Sequence, residues 1–230
     1  MSIWNDLWEL FFPRYCVVCG ERLSKAEEFL CFKCLSALPR ANLHLQVSNE
    51  MEKRLWGKLP IERASAFLYY SKGGDVRKLL YELKYYRNPH IGLFLGRCMA
   101  AELLPVGFFQ GIDYIIPVPL FDGRYRERGY NQSEMLANGV SAMTGCEVLE
   151  QVLVRSCDTD TQTRKSHYER WLNVKDVFRY VQKKDLAGKH ILLMDDVFTT
   201  GATIVACADA FKDIPGLRIS VLALAVAGES

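Results

Sequence analysis

Much that would simplify a reading of this sequence is missing from it. There is no run of about 18 apolar residues, so no membrane-spanning helix is expected. There is no Gly-Lys-Ser/Thr string and no Gly-x-Gly-x-x-Gly string, which removes the Walker loop and the dinucleotide fingerprint. Neither sign of charge dominates: the formal net charge is +2, too little to point by itself to nucleic acid or a membrane surface. The first residues, MSIWNDLWELFF, lack a basic start and a small-residue cleavage site, so they make a poor signal peptide. Trp4, Leu7, Trp8 and Phe11 instead follow helical spacing, and a short amphipathic helix is expected there. Docking on the chain's own core is its expected use; membrane contact is the alternative.

What remains is enough for a folded protein. The chain has 230 residues, half of them hydrophobic and 24% charged, which suits one domain of ordinary size plus a small appendage. Four of the eight cysteines cluster early, and Cys98, Cys146, Cys157 and Cys207 are scattered. A disulfide framework belongs more naturally to a shorter, loop-rich secreted chain, so a cytosolic protein with the scattered four as small buried hydrophobes is expected.

The early cluster reads Cys16-x-x-Cys19 and Cys31-x-x-Cys34. Each pair can turn back to offer two thiolates, and two pairs complete a tetrahedron around one zinc ion. Four protein ligands leave no open position, so such a metal would be structural. Two disulfides or an iron–sulfur cluster are the alternatives. The charges between the pairs, Glu21, Arg22, Lys25, Glu27 and Glu28, are mixed in sign, and no DNA-binding face is evident.

A helix over Ser48 to Leu59 follows, and Pro60 breaks the chain. The expected domains are therefore 1–60 and 61–230. In the second, the patterns predict a strand over Ala64 to Tyr70, a helix over Val76 to Tyr85 capped by Asp75, and a helix over Ile91 to Leu104. A short strand over Ile112 to Pro117, a long polar loop over 118–130 and a helix from Asn131 or Ser133 to Met143 come next, closed by Gly145. Glu147 to Val154 reads as a strand, 155–170 as a second polar loop, and Lys189 to Met194 as a buried strand. A helix over Ala202 to Phe211 and a strand over Arg218 to Ala227 finish the chain. Strands alternating with helices predict an α/β domain with a mostly parallel sheet flanked by helices.

The chemistry concentrates where the buried strand ends: Asp195-Asp196-Val197-Phe198-Thr199-Thr200-Gly201-Ala202-Thr203. A helix N-terminus offers free N–H groups and partial positive charge, which suit a phosphate. Gly201 lets the backbone come close, and the threonine hydroxyls add donors. Two carboxylates beside an anion site make sense if they face ribose hydroxyls, with Mg²⁺ as a further ligand. In the preceding loop Arg124, Arg126 and Arg128 alternate, and such a loop could neutralise a pyrophosphate. In the second loop, Arg155, Thr159, Gln162, Thr163, Arg164, Lys165, His167, Arg170 and Asn173 are polar and long enough to close over a ligand; His167 is a weak candidate for acid–base work.

The nine-residue string resembles the phosphoribosyl-pyrophosphate signature of type I phosphoribosyltransferases. Carried over, Asp195 and Asp196 would take the ribose hydroxyls and Thr199 to Thr203 the 5′-phosphate. Pro117-Val118-Pro119-Leu120, Arg128-Gly129-Tyr130-Asn131-Gln132, Thr159-x-x-Gln162, Arg170-x-x-Asn173-Val174 and the cysteine knuckle together resemble the ComF family of competence-type, phosphoribosyltransferase-like proteins. The resemblance implies a type I phosphoribosyltransferase-like domain that binds 5-phosphoribosyl-1-pyrophosphate with Mg²⁺ and transfers phosphoribose to a nitrogen acceptor. Equally, it allows a non-catalytic nucleotide-binding module whose zinc knuckle contacts DNA-uptake proteins or single-stranded DNA. It implies a bacterial cytosolic protein linked to DNA uptake. The acceptor pocket of such folds would be drawn here from residues 61–110.

Overall fold

The computed structural model describes residues 12–85, 88–155, 177–182 and 184–228. The N-terminal amphipathic segment, most of the second polar loop and His167 lie outside the described residues. In chain order the elements are α1 (Phe32–Ala37), α2 (Glu50–Leu55), β1 (Arg63–Tyr70), α3 (Asp75–Tyr85), α4 (Pro89–Leu103), β2 (Tyr114–Pro117), α5 (Asp122–Arg128), α6 (Gln132–Thr144), β3 (Glu147–Val148), β4 (Leu153–Arg155), β5 (Phe178–Tyr180), β6 (His190–Phe198), α7 (Ala202–Asp209) and β7 (Arg218–Ala227). Among the described residues no helix is long and apolar enough to cross a membrane.

Among the described residues the main sheet has five strands in the order β1-β7-β6-β2-β3, all paired in parallel. Strands β6 and β7 are covered on both faces, which is why they read as continuous apolar runs rather than alternating ones. On one face Leu192, Met194, Leu222 and Leu224 pack with the apolar stripe of α3 (Val76, Leu79, Leu80, Leu83), with α4 and with α6. On the other, Ile191, Leu193, Val221 and Ala223 meet α7 (Ile204, Cys207), Phe211, and Met51 and Leu55 of α2. Cys16, Leu23, Leu30, Cys31 and Leu38 of the knuckle join the first core, so apolar residues from both sides of Pro60 share the same interiors.

Helices α4 and α6 touch backbone to backbone. A Cβ on Gly96 would lie 2.2 Å from the carbonyl oxygen of Leu136, and one on Gly139 would lie 2.3 Å from that of Leu93. Glycine is required at both positions by close approach rather than by backbone torsion. The contact fixes α6, whose first turn supplies part of the site.

Three sequence expectations are corrected. The segment 118–130 is not all loop: α5 occupies it, ended by Gly129 at φ +82 in the left-handed region. The strand expected over Glu147 to Val154 is two strands, β3 in the main sheet and β4 in an antiparallel pair with β5, a partner the local pattern did not announce. Strand β6 does not stop at Met194; it carries Asp195 to Phe198 as well, with Asp195 paired to Ala223 and Phe198 to Val226. Neighbouring β7 is long enough to keep hydrogen-bonding past the first polar residue.

Candidate functional site

Strand β2 is followed by β3 on one side and pairs with β6 on the other, so the chain reverses direction across the sheet at β2. Crevices at the carboxyl ends of strands beside such a reversal are where open α/β sheets hold ligands. Asp195 and Asp196 stand at that end of β6.

Asp195 is buried, at 8% exposure. Its Oδ1 accepts the Asp196 N–H at 2.8 Å and lies 3.4 Å from Ser133 Oγ in the first turn of α6. Burial raises its pKa to about 7, and the neighbouring Asp196 charge adds to that shift. Asp196 is half-buried and faces α3, where Lys84 Nζ sits 2.8 Å from its Oδ2. The paired acids are thus unequal. One is set to be neutral or charged near neutrality, and the other is held beside an ammonium.

The turn after β6 leaves Thr199, Thr200, Ala202 and Thr203 exposed, while Gly201 is buried. Gly201 adopts φ +80, and a Cβ there would stand 2.9 Å from Leu55 and 3.0 Å from Phe198, so both torsion and space require glycine. Thr200 Oγ1 accepts the Ala202 N–H at 3.4 Å, and α7 begins with its amides at the turn. Arg54 of α2 holds the turn from behind: its Nη1 donates to the carbonyls of Thr199 at 2.8 Å and Ala227 at 2.9 Å, while its Nη2 pairs with Glu50. Sequence reasoning missed Arg54, Lys84 and Ser133, because all three come from other elements.

The arginines of α5 separate. Arg124 and Arg128 are one turn apart on one side of the helix, and Arg126 points elsewhere, exposed. Arg128 is buried; its Nη1 donates to Gln132 at 2.9 Å and its guanidinium lies 5.6 Å from the ring of Tyr85. The residues around it are equally structural. The Tyr130 hydroxyl donates to the Leu83 carbonyl, and Asn131 caps α6 while donating to Val118. This string staples α3, β2 and α6 together around the acids.

The four knuckle cysteines converge, with their sulfurs all within 4.8 Å of one another. Cys19 and Cys31 are 3.7 Å apart, close to the roughly 3.8 Å edge of a tetrahedron with metal–sulfur bonds of about 2.3 Å. The thiols differ: burial pushes Cys34 up, while Cys16 is brought down. Burial opposes its ionisation, but backbone N–H groups of Cys19, Cys31 and Val18 outweigh that and lower its pKa to about 7. Such a set suits a single four-coordinate metal ion. The knuckle docks on α3 and α4: Lys78 donates to the Val18 carbonyl at 2.8 Å, Arg97 pairs with Glu28, and the rings of Phe29 and Phe94 lie 5.6 Å apart.

The parallel sheet flanked by helices, with paired acids running into a glycine turn and a four-cysteine cluster near the N-terminus, defines an α/β protein with a ligand crevice at the carboxyl end of its sheet and a separate candidate metal centre. No family model matches the chain. It is 31% identical over 196 residues to the DNA utilization protein YhgH of Shigella flexneri, covering 84% of this chain and 82% of that one. Over 112 residues it is 34% identical to Competence protein F of Haemophilus influenzae, covering 48% of this chain and 49% of the other. The chain belongs to the ComF family. Among solved structures, a glutamine phosphoribosylpyrophosphate amidotransferase from B. subtilis overlaps it partially, with a TM-score of 0.40 and 17% identity over 61% of this chain and 30% of that chain.

Proposed function

We infer that this protein binds 5-phosphoribosyl-1-pyrophosphate and transfers its phosphoribosyl group to a nitrogen acceptor, releasing pyrophosphate. The observation that carries this reading is the placement of Asp195 and Asp196 at the carboxyl end of β6, directly ahead of the Gly201 turn and the N-terminus of α7. The acids accept hydrogen bonds from the ribose 2′- and 3′-hydroxyls, and the amides and hydroxyls from Thr199 to Thr203 take the 5′-phosphate. Of the arginines of α5, Arg124 and Arg128, on one side of the helix, supply positive charge for the pyrophosphate, and Arg126 does not join them.

Carboxylates are hard oxygen donors of the kind Mg²⁺ takes, but Lys84 already offsets the charge of Asp196. We therefore assign Mg²⁺ to the donor's pyrophosphate, where it supplies neutralisation of the leaving group, and the protein's acids to the sugar. What the chain itself contributes is orientation and fixed charge. In the knuckle, Cys16, Cys19, Cys31 and Cys34 hold a structural zinc, which makes residues 1–60 a metal-stapled module on the 61–230 domain. Reduced thiols at Cys98, Cys146 and Cys207 fit a cytoplasmic setting. The names of the relatives speak of competence and DNA use, and we place this chain in the same work, with DNA-uptake proteins or single-stranded DNA as its partners.

The test is pyrophosphate release from the donor in the presence of a panel of bases and amines, alongside direct donor binding. Release with at least one acceptor supports the enzyme. Saturable binding without release favours a non-catalytic module, and absence of donor binding by the wild-type chain sinks both.

A further inference from the structure

The two oxygens of the Asp195 carboxylate are not equivalent. Oδ1 has two donors from the chain itself, the Asp196 N–H at 2.8 Å and the Ser133 hydroxyl at 3.4 Å, whereas among the described residues Oδ2 accepts from none. Oδ1 is committed to the protein, and Oδ2 keeps its lone pairs for something else. Among the described residues the Ser133 hydroxyl has no other acceptor, and the side chain is 4% exposed, so water does not compete for it. Both donors are held by regular structure. The Asp196 amide belongs to β6. Ser133 stands in the first turn of α6, where its own N–H donates to Asn131 Oδ1 at 3.1 Å, and the Asn131 amide donates in turn to the Val118 carbonyl at 3.0 Å. The glycine contact with α4 sets the helix itself. A line of hydrogen bonds thus runs from the exit of β2 through Asn131 and Ser133 and ends on the acid of β6.

We propose that Ser133 is a positioning residue: together with the Asp196 amide it pins Asp195 Oδ1, so that Oδ2 is the oxygen presented to one ribose hydroxyl, and the site selects a sugar phosphate that carries that hydroxyl. The proposal rests on the function inferred above. The torsion that turns a carboxylate is soft, so an untethered Asp195 would offer either oxygen in many directions. Tethered at Oδ1 by groups on two packed elements, it offers one oxygen in one direction, which is how a supporting side chain makes a binding group selective. A hydrogen bond to a charged acceptor is among the stronger ones, and a buried acceptor that loses its donor is costly. A sugar without the hydroxyl forfeits the bond and leaves Oδ2 unpaired. Asp196, held from α3 by Lys84, takes the other hydroxyl and does not depend on Ser133.

The test uses the full-length protein and measures calorimetric affinities for ribose 5-phosphate, 2-deoxyribose 5-phosphate and 3-deoxyribose 5-phosphate. Wild type should bind the first and lose about tenfold or more for each missing hydroxyl, the scale of a hydrogen bond to a charged group. In Ser133→Ala one of those two losses should shrink to about threefold or less while the other stays. The hydroxyl whose removal has ceased to matter is the one Asp195 takes. Ser133→Thr, which keeps the donor, should discriminate as wild type does. Thermal melts establish that the variants fold; should the alanine variant not fold, Ser133→Cys, a weak donor of similar size, is read in its place. A serine that merely supports the helix would weaken all three ligands by one factor and leave the ratios alone, and that result overturns the proposal. Shrinkage of both ratios together overturns it as well, because Asp196 would then share the dependence. Wild type that binds no sugar phosphate, or binds ribose 5-phosphate no better than the deoxy sugars, defeats the sugar-phosphate reading itself, whatever the serine variants do.

Discussion

Lys84 Nζ lies 2.8 Å from Asp196 Oδ2, tying the helix that follows β1 to the strand that carries the acids. The two residues are 112 positions apart in sequence, yet they share one wall of the crevice. Asp196→Asn keeps the shape but removes the charge that accepts two hydroxyl donors, and donor binding is expected to fall beyond detection in calorimetry. Lys84→Met should leave the chain folded and change donor affinity, because Asp196 then loses the cation beside it.

Asp195 gives the pair a pH signature. Its folded pKa of about 7 stands well above the ordinary carboxyl value of about 3.9. Between those values the folded chain keeps a proton that the unfolded chain releases. The stability this group contributes is therefore full below about pH 4 and is lost as pH rises toward 7. Asp195→Asn cannot titrate, so wild type should lose stability relative to it between pH 5 and pH 8 in parallel urea melts. A constant difference across that range would contradict the buried, proton-holding arrangement.

The glycine contact between α4 and α6 makes a sharp prediction about stability. Gly96→Ala puts a methyl group 2.2 Å from the Leu136 oxygen, inside any allowed contact. The helices must part, at a cost of about 3 kcal/mol. For a chain of this size that corresponds to a fall of roughly 6–12 °C in melting temperature. Because α6 carries Ser133, donor affinity should fall as well, even though residue 96 is remote from the acids in sequence.

Arg54 tests whether the phosphate turn depends on α2. Arg54→Ala leaves the carbonyls of Thr199 and Ala227 without their partner, at a cost of about 1–3 kcal/mol. Arg54→Lys restores the charge without the fork that reaches two carbonyls. We expect weakened donor or inorganic phosphate binding in both variants, with the lysine intermediate.

The knuckle should report on its metal directly. Elemental analysis is expected to find one zinc per chain. Chelation should lower the melting temperature and re-addition of zinc restore it, because the ion closes a small module that docks on α3 and α4. Cys34→Ser should behave like the chelated protein. Insensitivity of the melt to chelators would remove the structural role.

What the sequence determined by itself is local. The last strand, Arg218–Ala227, coincides with its apolar run, Gly145 ends α6 as expected, and the cysteine spacing pointed to one four-ligand site. The acids and the glycine turn were legible too, because a strand, a phosphate turn and a helix follow one another within a few residues. Residues 118–130 misled because α5 is short and highly charged, with no apolar stripe to betray its period. The split of Glu147 to Val154 was hidden because β4 pairs with β5, across a long interval of chain. Only tertiary structure could decide that Asp195 is buried against Ser133, that Lys84 faces Asp196, that Arg54 holds the turn and that Gly96 meets Gly139. Each depends on which surfaces the parallel sheet brings together, and periodicity along the chain carries no information about contacts between elements so far apart.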